Sequence, residues 1–363
     1  MVMLAPIRLL PAAACLTAAM VHAQSPAKWR LEPIAVIEGV SADDPFATIK
    51  SIALHPDGRL AVVDEKTRVV SMYDAQDKSL GVVGRIGGGP GEYRDPYSVA
   101  WLADTLAIYD PGESRVVYLT NGRTPLRTQP TARISGPSHV RFYPVSRVKA
   151  YLFQTGRVGN VLQTVFVGVG GGPSDTVPMP PQPALSTGTR CRFGTGMKFF
   201  SWPESPRFIA LPSRPDGSMI TGVTGTYSLT VHSKAGRSAT IARKEFVPHP
   251  LPDFLWESEN TEYRKHLADY GESSCDTKPV RPPHRQPILS VNVADDGDVW
   301  IAVTGKDEHG FNVFSQSGQF RATVPGPVRG VWHVPVSVAG GRIAYVDDDR
   351  DGVQVVRTFR IVK

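Results

Sequence analysis

Several signatures of common enzyme chemistry are missing from this sequence. It has no Gly-x-Ser-x-Gly elbow, which argues against a nucleophilic hydrolase of that type, and no His-Glu-x-x-His helix for zinc proteolysis. The nine histidines lie far apart in sequence, so only the fold could bring them together. Lysine and arginine are scattered, and a formal net charge of +6 therefore favours solubility without indicating nucleic-acid binding.

The N-terminal residues resemble a secretory signal. One basic residue, Arg8, precedes an apolar stretch over 9–21, and a small-residue cleavage pattern ends at Ala23. This order predicts a signal peptide at 1–23 and a periplasmic or secreted mature chain. A lipoprotein anchored through Cys15 is the alternative, but the usual leucine is absent there. No later stretch is long and apolar enough to cross a bilayer, so we expect no membrane span.

A unit of two apolar strands joined by an Asp/Gly turn recurs along the chain. It is clearest at 52–64 and 99–110, and the six turns lie near positions 57, 104, 146, 216, 296 and 340. Three intervals fall in the roughly 40–50 residues expected of a four-stranded propeller blade, and two are longer. The 34 glycines and 32 prolines suit a chain rich in turns.

The repeat predicts an all-β fold, a six-bladed β-propeller forming a single domain over 24–363. The two long intervals predict insertions at about 174–205 and 245–286. The last repeat supplies only three strands, so the strand at 30–37 is expected to complete the sixth blade and to close the ring. Five or seven blades remain open alternatives.

One linker carries a family resemblance. The stretch Gly-Arg-Ile-Gly-Gly-Gly-Pro-Gly-Glu-Tyr-Arg-Asp-Pro-Tyr at 84–97 resembles the NHL repeats of exported bacterial six-bladed propellers. This resemblance implies the fold and an extracytoplasmic location, and it supplies no catalytic residues. A phosphate loop is disfavoured because no Gly-Lys-Ser/Thr follows. Glu92 is expected to accept backbone N–H bonds, and Tyr93 to wedge between blades.

Removal of the signal would leave two cysteines, Cys191 and Cys275, one in each insertion. Both insertions are expected over the same face of neighbouring blades, and disulfides persist outside the cytoplasm. We therefore predict that the two are bonded, with separate free thiols as the alternative.

The second insertion also contains the one convincing helical stretch, at 252–270, which predicts a short helical insertion between blades 4 and 5. Tyr263, Leu267 and Tyr270 recur on one face of it. This stripe is expected to pack on the propeller. Alternatively, the helix and the disulfide form a cap that leaves Trp256, Arg264 and His266 near a pocket.

The best metal candidate is the run containing Asp347, Asp349 and Asp351, which matches the start of a calcium loop. The glutamate expected at the twelfth position is replaced by Thr358. A plain hairpin turn is the preferred interpretation, with a weak calcium site as the alternative, and no other cofactor is predicted.

Linkers, second-to-third strand hairpins and insertions are expected to share one face, where loops on a rigid scaffold usually bind ligands. The cationic and aromatic side chains expected there would suit an anionic or carbohydrate-like ligand: Lys50, Arg94, Tyr97, His139, Arg141 and His333, with Trp256 and Arg264 of the helix. We predict a monomeric binding or scaffolding module of the cell envelope. Its ligand, a small molecule, glycan or protein, is not identified by the sequence.

The alternative function is a metal-dependent hydrolase, lactonase-like, or a lyase, with its site in the central channel. Such a site needs three or more carboxylate or amide ligands converging on the channel axis. Glu38, Glu92, Asn160 and Asp348 are available by composition. No motif assembles them.

Overall fold

The computed structural model describes most of the chain from residue 27 onwards. The described residues are 27–41, 43–131, 141–146, 149–158, 161–168, 175–178, 188–202, 204–214, 216–233, 236, 238–242, 246–306, 309–326, 335–349 and 351–363. The predicted signal peptide at 1–23, with Cys15, lies outside these residues. No helix among them is long and apolar enough to span a bilayer.

Four short strands open the described chain. They are β1 (Ala27–Lys28), β2 (Arg30–Ile37), β3 (Gly39–Ser41) and β4 (Asp44–Pro45). Strands β3 and β4 form a small hairpin, whereas β1 and β2 each join a sheet built by the last part of the chain.

Three four-stranded antiparallel sheets follow in sequence. The first sheet contains β5 (Ile49–Leu54), β6 (Leu60–Asp64), β7 (Val69–Tyr73) and β8 (Ser79–Val83). After a linker with β9 (Arg85–Ile86) and β10 (Glu92–Tyr93), the second contains β11 (Ser98–Leu102), β12 (Thr105–Asp110), β13 (Arg115–Thr120) and β14 (Thr124–Pro130). The third contains β15 (Arg141–Ser146), β16 (Lys149–Val158), β17 (Val161–Gly168) and β18 (Asp175–Pro178).

The two insertions flank the fourth sheet. The first insertion contains a ribbon of β19 (Gly188–Phe193) and β20 (Gly196–Ser201). The fourth sheet follows with β21 (Phe208–Pro212), β22 (Met219–Val223), β23 (Ser228–His232) and β24 (Ser238–Ala242). The second insertion contains α1 (Asp253–Glu259) and α2 (Thr261–Tyr270). Because β18 belongs to the third sheet, the first insertion begins after Pro178.

Two sheets close the chain. The fifth contains β25 (Ile288–Val293), β26 (Val299–Thr304), β27 (His309–Phe314) and β28 (Phe320–Pro325), and the sixth contains β29 (Val336–Ala339), β30 (Arg342–Asp348) and β31 (Gln354–Val362). Strand β2 pairs antiparallel with β31 as the outer strand of the sixth sheet. Strand β1 adds to β28 in parallel.

The architecture is an all-β propeller with few helices, in agreement with the predicted fold class. The predicted number of six blades, each with four strands, is wrong. Five of the sheets described above have four strands. The fifth sheet in sequence has five strands, since β1 satisfies backbone groups on the otherwise open edge of β28. The predicted turns near 57, 104, 216, 296 and 340 each lie between the first and second strands of one sheet, and position 146 is the last residue of β15.

The hydrophobic core is divided into clusters that lie between adjacent sheets. One cluster joins the first and second sheets through residues such as Met72 and Trp101. Others join the second to the third, the fourth to the fifth and the fifth to the sixth. Leu60 and Val346 belong to a cluster between the first and sixth sheets, so the first and last sheets pack side by side.

A buried ion pair also ties the sixth sheet to the first. Arg342 donates two hydrogen bonds to the carboxylate of Asp77, at 2.9 and 2.8 Å. The Asp77 side chain is 1% exposed and that of Arg342 is 12% exposed. The hydroxyl of Thr358 donates a further bond to Asp77. Removing one partner of such a pair leaves a charge buried without compensation.

Replacing Arg342 by methionine should therefore lower the free energy of unfolding by about 3–5 kcal/mol, measured by urea denaturation. The control is Arg30→Met, because the pair of Arg30 with Glu32 is exposed to solvent. That control should cost less than about 1 kcal/mol. Equal effects of the two substitutions would contradict the role given to Arg342.

Candidate functional site

The first strands of the sheets surround a narrow central cavity of about 90 Å³. Its lining is mostly apolar and comes from the first, second, third, fifth and sixth sheets: Ile52, Ala53, Leu54, Pro56, Val99, Trp101, Phe142, Tyr143, Asn292, Val293, Asp295, Val336, Ser337, Val338 and Ala339. The presence of Pro56 and Asp295 places the cavity toward the turns that join first and second strands. Ligand pockets are commonly about 300–1,000 Å³, so this cavity has room for only a few waters.

The carboxylates considered for a channel metal do not converge in this cavity. Glu38 is exposed, Glu92 lies in the linker and Asp348 lies at the end of β30. Asn160 is outside the described residues. Across the described parts of the chain, two groups of three metal-binding side chains occur, and neither lines the cavity.

The linker between the first and second sheets is anchored by Glu92 and Tyr93. A carboxylate oxygen of Glu92 accepts the Gly89 N–H at 2.7 Å, as expected from the sequence. Tyr93 is fully buried; its hydroxyl donates to the Val83 carbonyl at 2.6 Å and accepts the Val70 N–H at 3.1 Å. The glycine at 84 has a φ of +70°, and an added Cβ would meet the Tyr93 ring. These contacts give the linker a structural role.

Arg115 is a second anchor of this linker that the sequence analysis did not identify. Its guanidinium donates to the carbonyls of Gly87, Gly88 and Glu92 at 2.9–3.0 Å. It also pairs with the fully buried Asp110. The sequence does contain an indication of such an anchor. Three consecutive glycines in the linker leave backbone carbonyls that need a hydrogen-bond donor.

We call the side of the propeller that bears the linkers between sheets the linker face. The structure brings some of the binding residues predicted for it together. Lys50 lies 4.6 Å from the centre of the Tyr97 ring and forms an ion pair with Glu65. Arg94 is mostly exposed and pairs with Glu113 at 2.8 Å. The pairing of both cations with carboxylates reduces the positive charge available to an anionic ligand.

Three other predicted binding residues are not described at the side-chain level. His139 and His333 lie outside the described residues. Arg141 begins β15 and pairs with Phe153 through the backbone, but its side chain is outside the described part as well. Their proposed roles remain predictions.

The predicted disulfide between Cys191 and Cys275 is confirmed. It joins β19 of the first insertion to the segment after α2 of the second insertion. The same junction contains two hydrogen bonds, from the Asp276 N–H to the Arg190 carbonyl and from the Thr277 N–H to the Thr189 hydroxyl, each at 3.0 Å. The two insertions thus form one unit, which we call the cap (188–202 and 246–286).

The predicted helix at 252–270 is divided into α1 and α2 at Asn260. The predicted stripe is partly wrong, because Tyr263 is buried whereas Tyr270 is 51% exposed. His266 is buried in its place. The reason is that α2 packs against Phe200 and Trp202 of the first insertion, a partner that the sequence did not indicate.

The remaining predicted residues of the helical insertion lie on its outer parts. Trp256 in α1 is half-buried, and its carbonyl accepts the side-chain N–H of Asn260. Arg264 in α2 is half exposed and pairs with Glu257 of α1. These contacts stabilise the junction of the two helices.

The cap exposes an apolar and cationic surface that the sequence analysis missed. On the outer face of the β19–β20 ribbon, Arg190 lies directly opposite Phe199 and Arg192 lies opposite Met197. Phe199 is 55% exposed and Met197 is 53% exposed. The arginines are exposed too, and no carboxylate partner is found for them among the described residues. We call these four side chains the ribbon face.

A charged cluster lies on the face of the propeller opposite the cap, beside the mouth of the central cavity. His55 Nδ1 is 2.7 Å from an oxygen of Asp57, and Arg59 bridges Asp57 and Asp104 at 2.8 and 2.9 Å. The guanidinium also lies over the Trp101 ring. Partial burial raises the pKa of Asp57, but hydrogen bonds from Arg59 and His55 outweigh this effect and lower it. The turns near 57 and 104 were predicted, but not that they meet.

The aspartates of the calcium-loop candidate have partners within the protein. Asp347 accepts a bond from Arg357 at 2.7 Å. Asp349 accepts the backbone N–H groups of Asp351 and Val353, each at 2.8 Å, as is usual in a tight turn. These bonds are those of a hairpin turn, and the weak calcium site stays a prediction.

No family model matches the sequence, and no curated protein matches it. Among solved structures, the chain is similar to regucalcin, a calcium-binding protein from Agrobacterium tumefaciens, with 11% identity, a TM-score of 0.45 and coverage of 93% of this chain and 97% of that chain. It is also similar to virginiamycin B lyase from Staphylococcus aureus, with 9% identity, a TM-score of 0.44 and coverage of 92% and 99%.

A third similar structure is a gluconolactonase from Xanthomonas campestris, with 11% identity, a TM-score of 0.43 and coverage of 93% and 99%. Neighbours of this chain therefore include enzymes as well as a calcium-binding protein. At these identities and TM-scores the likenesses assign no residue, ligand or reaction to this chain, and the NHL resemblance rests on the single linker.

Replacing Tyr93 by phenylalanine should destabilise the protein by about 1–3 kcal/mol, because the Val83 carbonyl and the Val70 N–H lose their partner inside the core. Thermal and urea unfolding would measure this. The matched control is Tyr270→Phe at a half-exposed position, which should change stability by less than about 0.5 kcal/mol.

Glu92 should make stability depend on pH. The hydrogen bond from the Gly89 N–H, followed by that from Arg85, holds the pKa of Glu92 below its ordinary value of 4.5. A carboxylate with a lowered pKa stabilises the fold above its ordinary value, and this contribution is lost as pH falls through the folded value. The difference in unfolding temperature between wild type and Glu92→Gln should be largest near neutral pH and shrink below pH 4.5. The control is Glu32→Gln, and a difference independent of pH would contradict this assignment.

Proposed function

We propose that the protein is a binding propeller of the cell envelope that contacts an acidic partner protein through the ribbon face. The observation that carries this proposal is the exposed set of Arg190, Arg192, Met197 and Phe199 on one side of a covalently anchored ribbon. Contiguous exposed apolar side chains usually mark an interaction surface.

The composition of the ribbon face favours a protein partner. Aromatic residues, methionine and arginine are the side chains enriched at the centres of protein interfaces, whereas lysine and glutamate are depleted there. The guanidinium groups of Arg190 and Arg192, which have no carboxylate partner in the part of the chain that the structure describes, favour carboxylates, which arginine can bind in a bidentate manner. An acidic surface therefore complements both parts of the face.

The ribbon is also held rigidly, which lowers the entropic cost of binding. Part of its inner face is buried, with Thr189 at 2%, Cys191 at 0% and Phe200 at 6% exposure. The disulfide fixes the ribbon to the second insertion. Glu204 adds a buried ion pair with Arg285, so the two insertions have a second strong connection.

The proposed location outside the cytoplasm is supported by the disulfide. Structural disulfides are rare in the reducing cytoplasm and persist in the periplasm and outside the cell. The signal-like N-terminal sequence gives the same expectation.

We further propose that the predicted residues of the linker face extend this binding region. Lys50, Tyr97 and Arg94 precede or follow linkers on the side of the propeller that bears the cap. The sheets of the propeller, with β2 pairing to β31, would provide the rigid support for this face. We propose a small molecule or a glycan as the ligand of this outer region.

A metal-dependent hydrolase or lyase is the second candidate function. The observation that favours it is the group of His55, Asp57 and Asp104 beside the cavity mouth, whose ligand atoms lie within 4.8 Å of one another. Arg59 bridges the two carboxylates and would have to be displaced by a cation. Elemental analysis of purified protein, compared with Asp57→Asn, tests this directly. Bound metal that is lost in the variant would support the catalytic candidate.

The binding proposal can be tested by site-specific photocrosslinking in cells. A photoreactive phenylalanine analogue placed at position 199 should yield one discrete adduct with a partner protein, identified by mass spectrometry. The same analogue at Leu126, which is 56% exposed on the outer strand of the second sheet, is the control and should give none.

Charge reversal distinguishes specific binding from general stickiness. The double variant Arg190→Glu/Arg192→Glu should abolish the adduct at position 199, because it would face an acidic surface with negative charge. Equal crosslinking from positions 126 and 199, or an adduct unaffected by charge reversal, would refute the proposed interface.

A further inference from the structure

An enclosed cluster in the cap combines two sulfurs and one imidazole. Cys191, Cys275 and His266 each offer a ligand atom, and these atoms all lie within 4.8 Å of one another. Cys191 is fully buried and His266 is 6% exposed. The surrounding wall is aromatic, with Phe200, Trp202 and Tyr263 in the same packed cluster.

One ring nitrogen of His266 makes no hydrogen bond with the described residues. Its Nε2 atom is buried and has no hydrogen-bond partner among the described residues. Leaving a buried polar atom unsatisfied typically costs about 1–3 kcal/mol. The ring is held between Phe200, at 5.1 Å between ring centres, and Tyr270, at 4.8 Å. Its position near the sulfurs is therefore fixed by packing.

We propose that reduction of the Cys191–Cys275 disulfide turns this cluster into a zinc site, with both thiolates and His266 Nε2 as ligands. Two cysteines and one histidine are a known protein ligand set for zinc, with the fourth position open to water. The disulfide form offers only the imidazole, so metal binding depends on the redox state.

The reductant of the Cys191–Cys275 disulfide is a dithiol. The dithiol transfers two electrons and two protons to the disulfide, becoming a disulfide itself and leaving two thiols in the protein. Zinc then binds both sulfurs and the imidazole nitrogen, and two protons leave for solvent.

The cap can keep the three ligands close after the covalent bond is broken. The Cα atoms of Cys191 and Cys275 are 4.0 Å apart. The contacts of Asp276 with Arg190 and of Thr277 with Thr189 do not involve the sulfurs and hold the same two segments together. Ligand atoms around zinc are about 3.5–4 Å apart, so side-chain rotations suffice.

This site gives the cap a second means of joining its two insertions. In an oxidising compartment the disulfide joins them, and in a reducing one zinc would do so through the same residues. The inference is independent of the proposed partner protein, because it concerns the buried interior of the cap and not the ribbon face.

Zinc titration of the reduced protein tests the proposal. The full chain carrying Cys15→Ser, which removes the third cysteine, is reduced with dithiothreitol, desalted under nitrogen and titrated with zinc chloride against a chromophoric chelator. We expect about one zinc ion per reduced chain and none per oxidised chain. Cobalt(II) should give the intense absorption of thiolate coordination.

Two histidine variants complete the experiment. His266→Phe retains an aromatic ring and should bind zinc at least about tenfold more weakly. His284→Phe changes a histidine elsewhere in the second insertion and should bind like its parent. Circular dichroism of the reduced protein shows whether the cap stays folded. No zinc binding by the reduced parent, loss of its fold, or unchanged affinity in His266→Phe would each overturn the proposal.

Discussion

The packing of the first three sheets depends on how the open edge of each first strand is satisfied. That strand has a partner strand on one side only, so its other edge leaves backbone N–H groups facing the neighbouring sheet inside the protein. Serine hydroxyls accept them: Ser51 accepts the Val99 N–H, Ser98 the Phe142 N–H and Ser337 the Leu54 N–H, at 2.9–3.2 Å. Because a serine side chain is short, these bonds require adjacent sheets to approach closely. The sheets joined by these bonds also share apolar clusters.

A narrow apolar centre moves the candidate binding chemistry to the periphery. The linker face is suited to this role because buried aspartates fix the entries of the first and second sheets. Asp64 accepts the N–H groups of Ala47 and Thr48, and Asp110 accepts those of Arg94 and Asp95. The same residue type at the end of the second strand thus holds the start of the segment leading into the first strand. Long segments can be added between sheets without disturbing this arrangement, as the two insertions are.

Features that depend on local sequence patterns, such as turns, were predicted from the sequence. Features that depend on contacts between distant residues were not. Turns near 57 and 216 were predictable because Asp-Gly pairs require special backbone geometry, and the cysteine pair was predictable once both insertions were assigned to one face. The burial of His266 depends on packing against Phe200, which lies more than 60 residues away. Local propensity contains no information about such a partner. The meeting of His55 with Asp104 across two sheets was beyond sequence patterns for the same reason.

The cap contains both the exposed ribbon face and the buried cluster of Cys191, Cys275 and His266. It differs from the propeller in being held by a disulfide. The disulfide stabilises the cap by about 4.5 kcal/mol for a loop closed over 84 residues in the chain-entropy model. With this covalent support, the ribbon does not need to bury Met197 and Phe199 in order to stay folded. Exposed apolar groups favour aggregation unless a partner covers them, and the proposed binding role of the ribbon face rests on this argument. The support of the cap and its proposed function therefore depend on the same pair of cysteines.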